Sequence, residues 1–465
     1  MRSALVCAGE YRRGHPFSDV LSCEFNQKCL SPRVDTRSDC RRGFTTGRAR
    51  CALPVPGGDR GTRGQDGRPQ LKGVHRTVDR DQVIEDAPEG SGPPDAPAGA
   101  VERTARGGTC TGSVLLAAGS AGWLLFTAAH LLLSGRVWWW VLPDLLPPPA
   151  FVLAPLLSLA ALAVVAAVRR PPWRWPAWMT LGCSLVALLA GGPESGLNPA
   201  AVLGTPRPVP AGAIRVASWD TLFWDQTDDP QHFLDYLKAL DADVYLLQEY
   251  MLQGPDGPVP VDDAARLRAR FPGYTLVARG ELLTLTRLPV VGQRVLTARP
   301  ASSPTTPTSW TDYWDARVLR TDLALDGGTL SVYNVHLADP FDLGRSPLTG
   351  DFYSAAHLLG TYREAQWQAL ERDLAANDRP TVVSGALNTL PNMGDLRHLR
   401  SLRDAVAADT DSLYPVSFAL RGAWWWRLDA TYTSPEVVVS RYALRSPEGL
   451  STHRAQLAWI SLRGG

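Results

Sequence analysis

The alternation of hydrophobic and polar positions divides the chain into three textures. Up to about residue 110 no apolar period is sustained, and Arg, Gly, Pro and Asp dominate. Stretches such as Pro54-Val-Pro-Gly-Gly-Asp and Gly90-Ser-Gly-Pro-Pro-Asp bury too little surface to offset chain entropy, so 1–110 is expected to be disordered. No uninterrupted apolar stretch follows Met1, unlike a signal peptide. Three apolar runs come next, Val114–Leu133, Phe151–Val168 and the shorter Ala177–Ala190, each without Asp, Glu, Lys or Arg. The first two have the length to cross a bilayer and the third is marginal. Trp138, Trp139, Trp140, Trp173, Trp175 and Trp178 flank the runs, where membrane interfaces favour Trp.

From Ala213 the pattern alternates between period 2 and period 3.6. Strands are predicted at Ile214–Trp219, Val244–Glu249, Leu282–Thr286, Val318–Leu325, Leu330–His336, Thr381–Ser384 and Ala455–Leu462. Helices are predicted at Gln231–Leu240 and Tyr362–Leu374. The expected organisation is a disordered 1–110, three transmembrane helices in 111–192, a Pro- and Gly-rich linker at 193–212, and an α/β sandwich domain at 213–465.

Charge refines this picture. Arg103, Arg106, Arg169, Arg170 and Arg174 place the N-terminus and the second inter-run loop in the cytoplasm. Three crossings then deliver the C-terminal domain to the far side of a cell membrane; two would leave it cytoplasmic. The whole chain carries +1, yet from Thr205 onward there are 25 basic and 30 acidic residues. An acidic domain is a poor match for nucleic acid, whose binding relies on neutralising phosphates, so that partner is not favoured. No cysteine lies beyond Cys183, so the domain can fold in an oxidising or a reducing compartment.

Short motifs recur at the predicted strand ends: Val216-Ala-Ser-Trp-Asp-Thr, Leu247-Gln-Glu, Thr286-Arg-Leu-Pro, Tyr333-Asn-Val-His-Leu, Ser384-Gly-Ala-Leu-Asn-Thr, Arg427-Leu-Asp and Ser451-Thr-His. Taken in order, they resemble the endonuclease/exonuclease/phosphatase superfamily over about Ala213–Leu462. The resemblance implies a four-layer αββα sandwich whose loops converge on one metal-bearing cleft, and a phosphate-ester substrate. Glu249 matches the family's metal-binding glutamate, with Mg²⁺ (or Mn²⁺) the implied ion. His453 matches the catalytic histidine and Asp429 the carboxylate that orients it. Asn334 and His336 match a second motif that contacts phosphate, and Asn388 matches an asparagine that donates to a phosphoryl oxygen.

Three positions depart from the family pattern. The first strand ends in Asp220 where the family has Asn; Gly-Asp-x-Asn carries Ala386, and Ser-Asp-His carries Thr452. A methyl group at 386 cannot position or deprotonate water, and losing a general base commonly lowers rate about 10²–10⁴-fold. Asp220, read as a metal ligand beside Glu249, either exchanges a carboxylate with position 386 or marks independent decay. An Asp220 carboxyl far from Glu249 and Asn388 would exclude the exchange. The expected function is thus a membrane-anchored metal-dependent phosphoesterase, impaired at two positions, or alternatively a non-catalytic module that binds a phosphorylated ligand. Partners implied are a lipid bilayer and a phosphate ester; no protein partner is readable.

Overall fold

The computed structural model describes residues 100–168, 175–225, 229–254, 257–298, 313, 315–342 and 344–463. The expectation of disorder for residues 1–99 lies outside them. The first helix, α1 (Ala100–Leu133), starts inside the segment expected to be disordered. Ala, Glu and Arg favour helix, and an apolar helix already follows for them to extend. It is followed by α2 (Ala150–Val168) and α3 (Trp175–Gly191). The Thr111–Leu133 part of α1 and all of α2 are long and apolar enough to cross a membrane, whereas α3 is shorter. Phe151 anchors the group, with its ring 4.7 Å from His130 and 6.0 Å from Trp123. A Cβ on Gly191 would meet Phe151 at 3.2 Å, so the end of α3 lies against the start of α2.

The C-terminal domain is a pair of mixed sheets. The first is ordered β15 (Val437–Arg445), β16 (Ala455–Leu462), β1 (Ile214–Asp220), β2 (Val244–Gln248), β6 (Leu282–Thr286), β5 (Thr275–Arg279). The second runs β11 (Arg403–Asp404), β14 (Asp429–Thr433), β10 (Thr381–Ala386), β9 (Gly328–His336), β8 (Ala316–Leu325), β7 (Val290–Thr297). Two ribbons, β3 (Met251–Gly254) with β4 (Gly257–Pro260) and β12 (Phe418–Leu420) with β13 (Ala423–Trp426), decorate the strand ends. Helices α4 (Pro230–Ala239) and α5 (Ala264–Arg270) contribute Phe233, Leu234, Leu237 and Leu267 to one core, and α6 (Gly350–Ala375) contributes Trp367 and Leu370 to another. Between the sheets, Val216, Val244 and Leu246 meet Leu330, Val332 and Val382 in a third cluster. Helix, two sheets and helix make the expected four layers.

Two parallel pairs orient the domain. β1 and β2 run together, as do β9 and β10. Their carboxyl ends converge, and β14 begins antiparallel beside the end of β10. Nearly every functional candidate is therefore carried to one edge of the sandwich.

Candidate active site

The metal-type cluster is built on β1, the turn after β2, and β9. Asp220 closes β1, and its Oδ1 accepts the backbone N–H of Leu222 at 3.0 Å. Glu249 has left β2 with a φ of +60°, which turns its carboxylate back over the β1 loop. There its Oε2 accepts the N–H of Phe223 at 2.5 Å. His336 closes β9, and its Nε2 lies 3.8 Å from Asp220 Oδ2. One donor atom from each of Asp220, Glu249 and His336 lies within 4.8 Å of the others, and all three residues are buried.

Beneath them lies a layer that the sequence reading missed. Fully buried Glu281 accepts the N–H of Glu249 at 2.7 Å and an Arg317 N–H at 3.1 Å. It also faces His336 Nδ1 at 3.0 Å. Arg317 stacks over the Tyr313 ring at 4.0 Å. Burial works against charge on His336, but the Glu281 carboxylate outweighs it and the imidazole pKa rises. Burial alone would raise Glu281, yet His336 and Arg317 hold its pKa below the usual range. Asp339 faces the same cluster, and burial pushes its pKa up. The available signal for Glu281 was its place immediately before the Leu-rich strand Leu282–Thr286, where a carboxylate needs partners.

The second centre is a histidine–carboxylate pair that crosses from sheet to sheet. His453 precedes β16, and its Nδ1 is 2.9 and 3.0 Å from the two Asp429 oxygens at the head of β14. A neutral imidazole held this way carries its proton on Nδ1 and its basic lone pair on Nε2. Ser451 Oγ accepts the His453 N–H, and Trp219 Nε1 donates to the His453 carbonyl at 3.0 Å.

The departing positions sit between these centres. Ala386 is wholly buried and pairs with His336 on one side and Asp429 on the other. A carboxylate there would complete one row. The preceding Gly385 has φ +153°, and a Cβ would lie 1.8 Å from the Val335 carbonyl oxygen, so only glycine fits. Thr452 lines the cleft, and its buried Oγ1 has no hydrogen-bond partner. Asn388, at φ +48°, donates to the Leu337 carbonyl at 2.8 Å and also lines the cleft.

Asn334 is placed differently from the expectation of a phosphate contact. Its Nδ2 donates to the carbonyls of Leu247 and Leu283, while its Oδ1 accepts from Gln248 at 2.6 Å. Asn334 shares a face of β9 with His336 but lies two residues deeper between the sheets, where its amide fastens them from inside. Asp220, Glu249 and His336 come together, and so do His453 and Asp429. Asn388 joins Asp220, His336 and His453 in the lining of a cavity of about 80 Å³.

The donor set suits a divalent cation. Two carboxylates and an imidazole converge, and Glu281 supplies the outer carboxylate that orients a ligating histidine. The orphaned Thr452 hydroxyl is a further polar atom facing that space.

Two sheets whose strand ends meet over a cluster of acids and histidines define the architectural class. Residues 217–461 match the model of the Endonuclease/Exonuclease/phosphatase family, and the chain belongs to that family. Solved structures similar to this chain include an endonuclease/exonuclease/phosphatase from Bacteroides vulgatus (17% identity, TM-score 0.37, 54% of this chain and 99% of that one). Another is the protein of that description from Beutenbergia cavernae (17%, TM-score 0.38, 54% and 72%). A third is the human Nocturnin catalytic domain with bound sulfate (18%, TM-score 0.38, 55% and 97%). No curated protein matches the sequence.

Proposed function

We propose that the chain is a membrane-anchored, divalent-metal-dependent phosphoesterase whose catalytic base is diminished relative to its family. The observation that carries this reading is the Asp220–Glu249–His336 donor triad and the His453–Asp429 pair, which meet through the cleft that Asp220, His336 and His453 line. Asp220, Glu249 and His336 would hold the cation, which offsets negative charge on the phosphoryl oxygens. His453 Nε2 takes the proton of the attacking water as the new O–P bond forms and the ester P–O bond breaks. Asp429 keeps Nδ1–H in place and balances the imidazolium that results. The second N–H of Asn388 donates to a phosphoryl oxygen. At 386 a methyl group leaves the water without its usual carboxylate, and Asp220 would supply a replacement. Its place within 4.8 Å of the Glu249 and His336 donors, in the cleft that Asn388 also lines, supports an exchange of carboxylates.

Membrane anchoring is supported by two helices of crossing length. The order of contacts supports three crossings. Ser134, just after α1, and Asn198, just after α3, both hydrogen-bond the C-terminal domain, so α2 and α3 return the chain to the side where α1 left it. That arrangement favours an extracytoplasmic domain, given the arginines of the opposite loop.

The alternative, a non-catalytic module that binds a phosphorylated ligand, is favoured by the methyl group at 386 and the orphaned Thr452 hydroxyl. Hydrolysis of bis(p-nitrophenyl) phosphate by the full chain in detergent, with Mg²⁺ or Mn²⁺, decides between them. Metal-dependent turnover abolished by Glu249→Gln supports the enzyme. Absence of turnover that Ala386→Asp with Thr452→Asp restores establishes the module.

A further inference from the structure

The segment between α1 and α2 is part of the catalytic cleft. His130 stands near the end of α1, wholly buried, with Nε2 2.6 Å from the Asn392 carbonyl and Nδ1 accepting from Trp140 Nε1 at 3.2 Å. Asn392 returns a bond to the Asp144 carbonyl at 3.0 Å, and the Gly394 N–H donates to Ser134 Oγ at 2.8 Å. Packing is equally close, since a Cβ on Gly394 would lie 2.1 Å from the Ser134 carbonyl oxygen. Buried, reciprocally bonded polar groups of this kind fix one arrangement of two elements. The docked loop, 389–397, directly follows Asn388. As a result Leu145 forms wall in the same cleft as Asp220, His336 and His453.

Much of the rest of the wall is apolar. Leu222, Phe341, Met393 and Trp426 line it, and among the described lining residues there is no Lys or Arg. Acids are present instead, Asp339 and Asp342 with Asp220. A polyanionic chain needs cations spaced along its phosphates, and this cleft has none at its wall. A single phosphate at the cluster, with hydrocarbon running along the wall, meets both halves of the surface. Exposed tryptophans lie on the same segments: Trp138 and Trp139 on the inter-helix loop that carries Leu145, and Trp425 on the β12–β13 ribbon next to the lining Trp426. These are residues suited to a bilayer interface.

We infer that the cleft takes a phosphoester lipid from the leaflet in which α1 ends and α2 begins, with Leu145 as the membrane-side wall along which the lipid enters. This rests on the phosphoesterase and membrane readings above and names the substrate class of that site.

The test places a benzophenone amino acid at Leu145, at Phe341, or at the exposed Asp378 beyond the opposite end of β10. Each full-length variant is reconstituted into vesicles of phosphatidylethanolamine and phosphatidylglycerol with Mn²⁺. After irradiation, intact-mass analysis is expected to show a phospholipid adduct at a cleft position and none at Asp378. Two cleft positions are used so that misfolding of one variant leaves the other. Loss of the adduct from both folded cleft variants overturns the inference, as does equal labelling at Asp378. Turnover of the soluble bis-aryl ester without any cleft adduct leaves the phosphoesterase reading standing and removes the lipid. An adduct without turnover of either ester keeps the lipid cleft and removes the phosphoesterase.

Discussion

Whether Asp220 repairs position 386 is testable by Asp220→Asn and Ala386→Asp, made singly and together in the full chain. Charges near Asp220 nearly cancel in the metal-free protein. At an effective dielectric of about 20, repulsion from Glu249, within 4.8 Å, is at least about 3.5 kcal/mol. Attraction to a protonated His336 at 3.8 Å is about 4.4 kcal/mol. Asp220→Asn should therefore change metal-free stability by no more than about 1 kcal/mol, or about 2–4 °C in Tm for a domain of this size. Divalent binding has no such cancellation, because the cation displaces the proton on His336 and meets one carboxylate fewer. Affinity for Mn²⁺ should fall at least about tenfold, equivalent to about 1.4 kcal/mol. Ala386→Asp adds a carboxylate to the row between His336 and Asp429, and should raise kcat about 10²–10⁴-fold. In the double variant the two changes should couple by about 1–3 kcal/mol, since both groups address the same space. Thermal unfolding with and without Mn²⁺, titration calorimetry and hydrolysis of the bis-aryl ester give the three readouts. A large metal-free destabilisation by Asp220→Asn, with Mn²⁺ affinity unchanged, would refute the reasoning and make Asp220 a structural residue.

Other consequences are equally direct. Asp429→Asn should lower kcat about 10²–10⁴-fold with little change in KM, because only the tautomer and charge balance of His453 are lost; a matching rise in KM would count against that role. Gly385→Ala forces a Cβ against the Val335 carbonyl, and should destabilise the domain by more than about 3 kcal/mol, read by chemical denaturation. Burial pushes the Asp144 carboxyl up to about 7, with the Ser134 hydroxyl opposing and Asp395 and Glu194 adding to it. The docked state thus holds this proton more tightly than the undocked one. Docking is unpenalised below about pH 4 and weakens as pH rises towards 7, by up to about 4 kcal/mol. Hydrogen exchange of residues 134–146 should accelerate over that window, and Asp144→Asn should abolish the dependence.

The architecture was largely visible in the sequence because each strand carries its own period and ends on a chemically marked residue. β6 and β16 were readable to the residue, as both are apolar runs bounded by polar turns. β10 extends two residues past its predicted end, since Gly385 and Ala386 still pair with β9 and β14 although neither favours strand. The start of α6 at Gly350 was hidden because its first turns mix Gly, Ser and Asp with buried Phe352 and Ala355. At the site, residues at motif positions could be named, but orientation could not. Asn334 stands two residues from His336, yet its amide serves the sheet interior. Glu281, Arg317 and Asp339 belong to no short motif; they are brought together only by the pairing of β6, β8 and β9 across two sheets. Contact between Leu145 and the cleft depends on a long-range docking that no local pattern encodes.

The Asn334 amide that ties Leu247 and Leu283 to β9 has a wider meaning for how the molecule becomes competent. Asp220 and Glu249 belong to one sheet, and His336 to the other; His453 and Asp429 are divided in the same way. Neither sheet alone holds a complete cation site or a complete proton-transfer pair. The chemistry is a property of the seam, and it comes into being only when the last strand, β16, closes beside β1. Until that strand pairs with β1, His453 has no fixed place opposite Asp429.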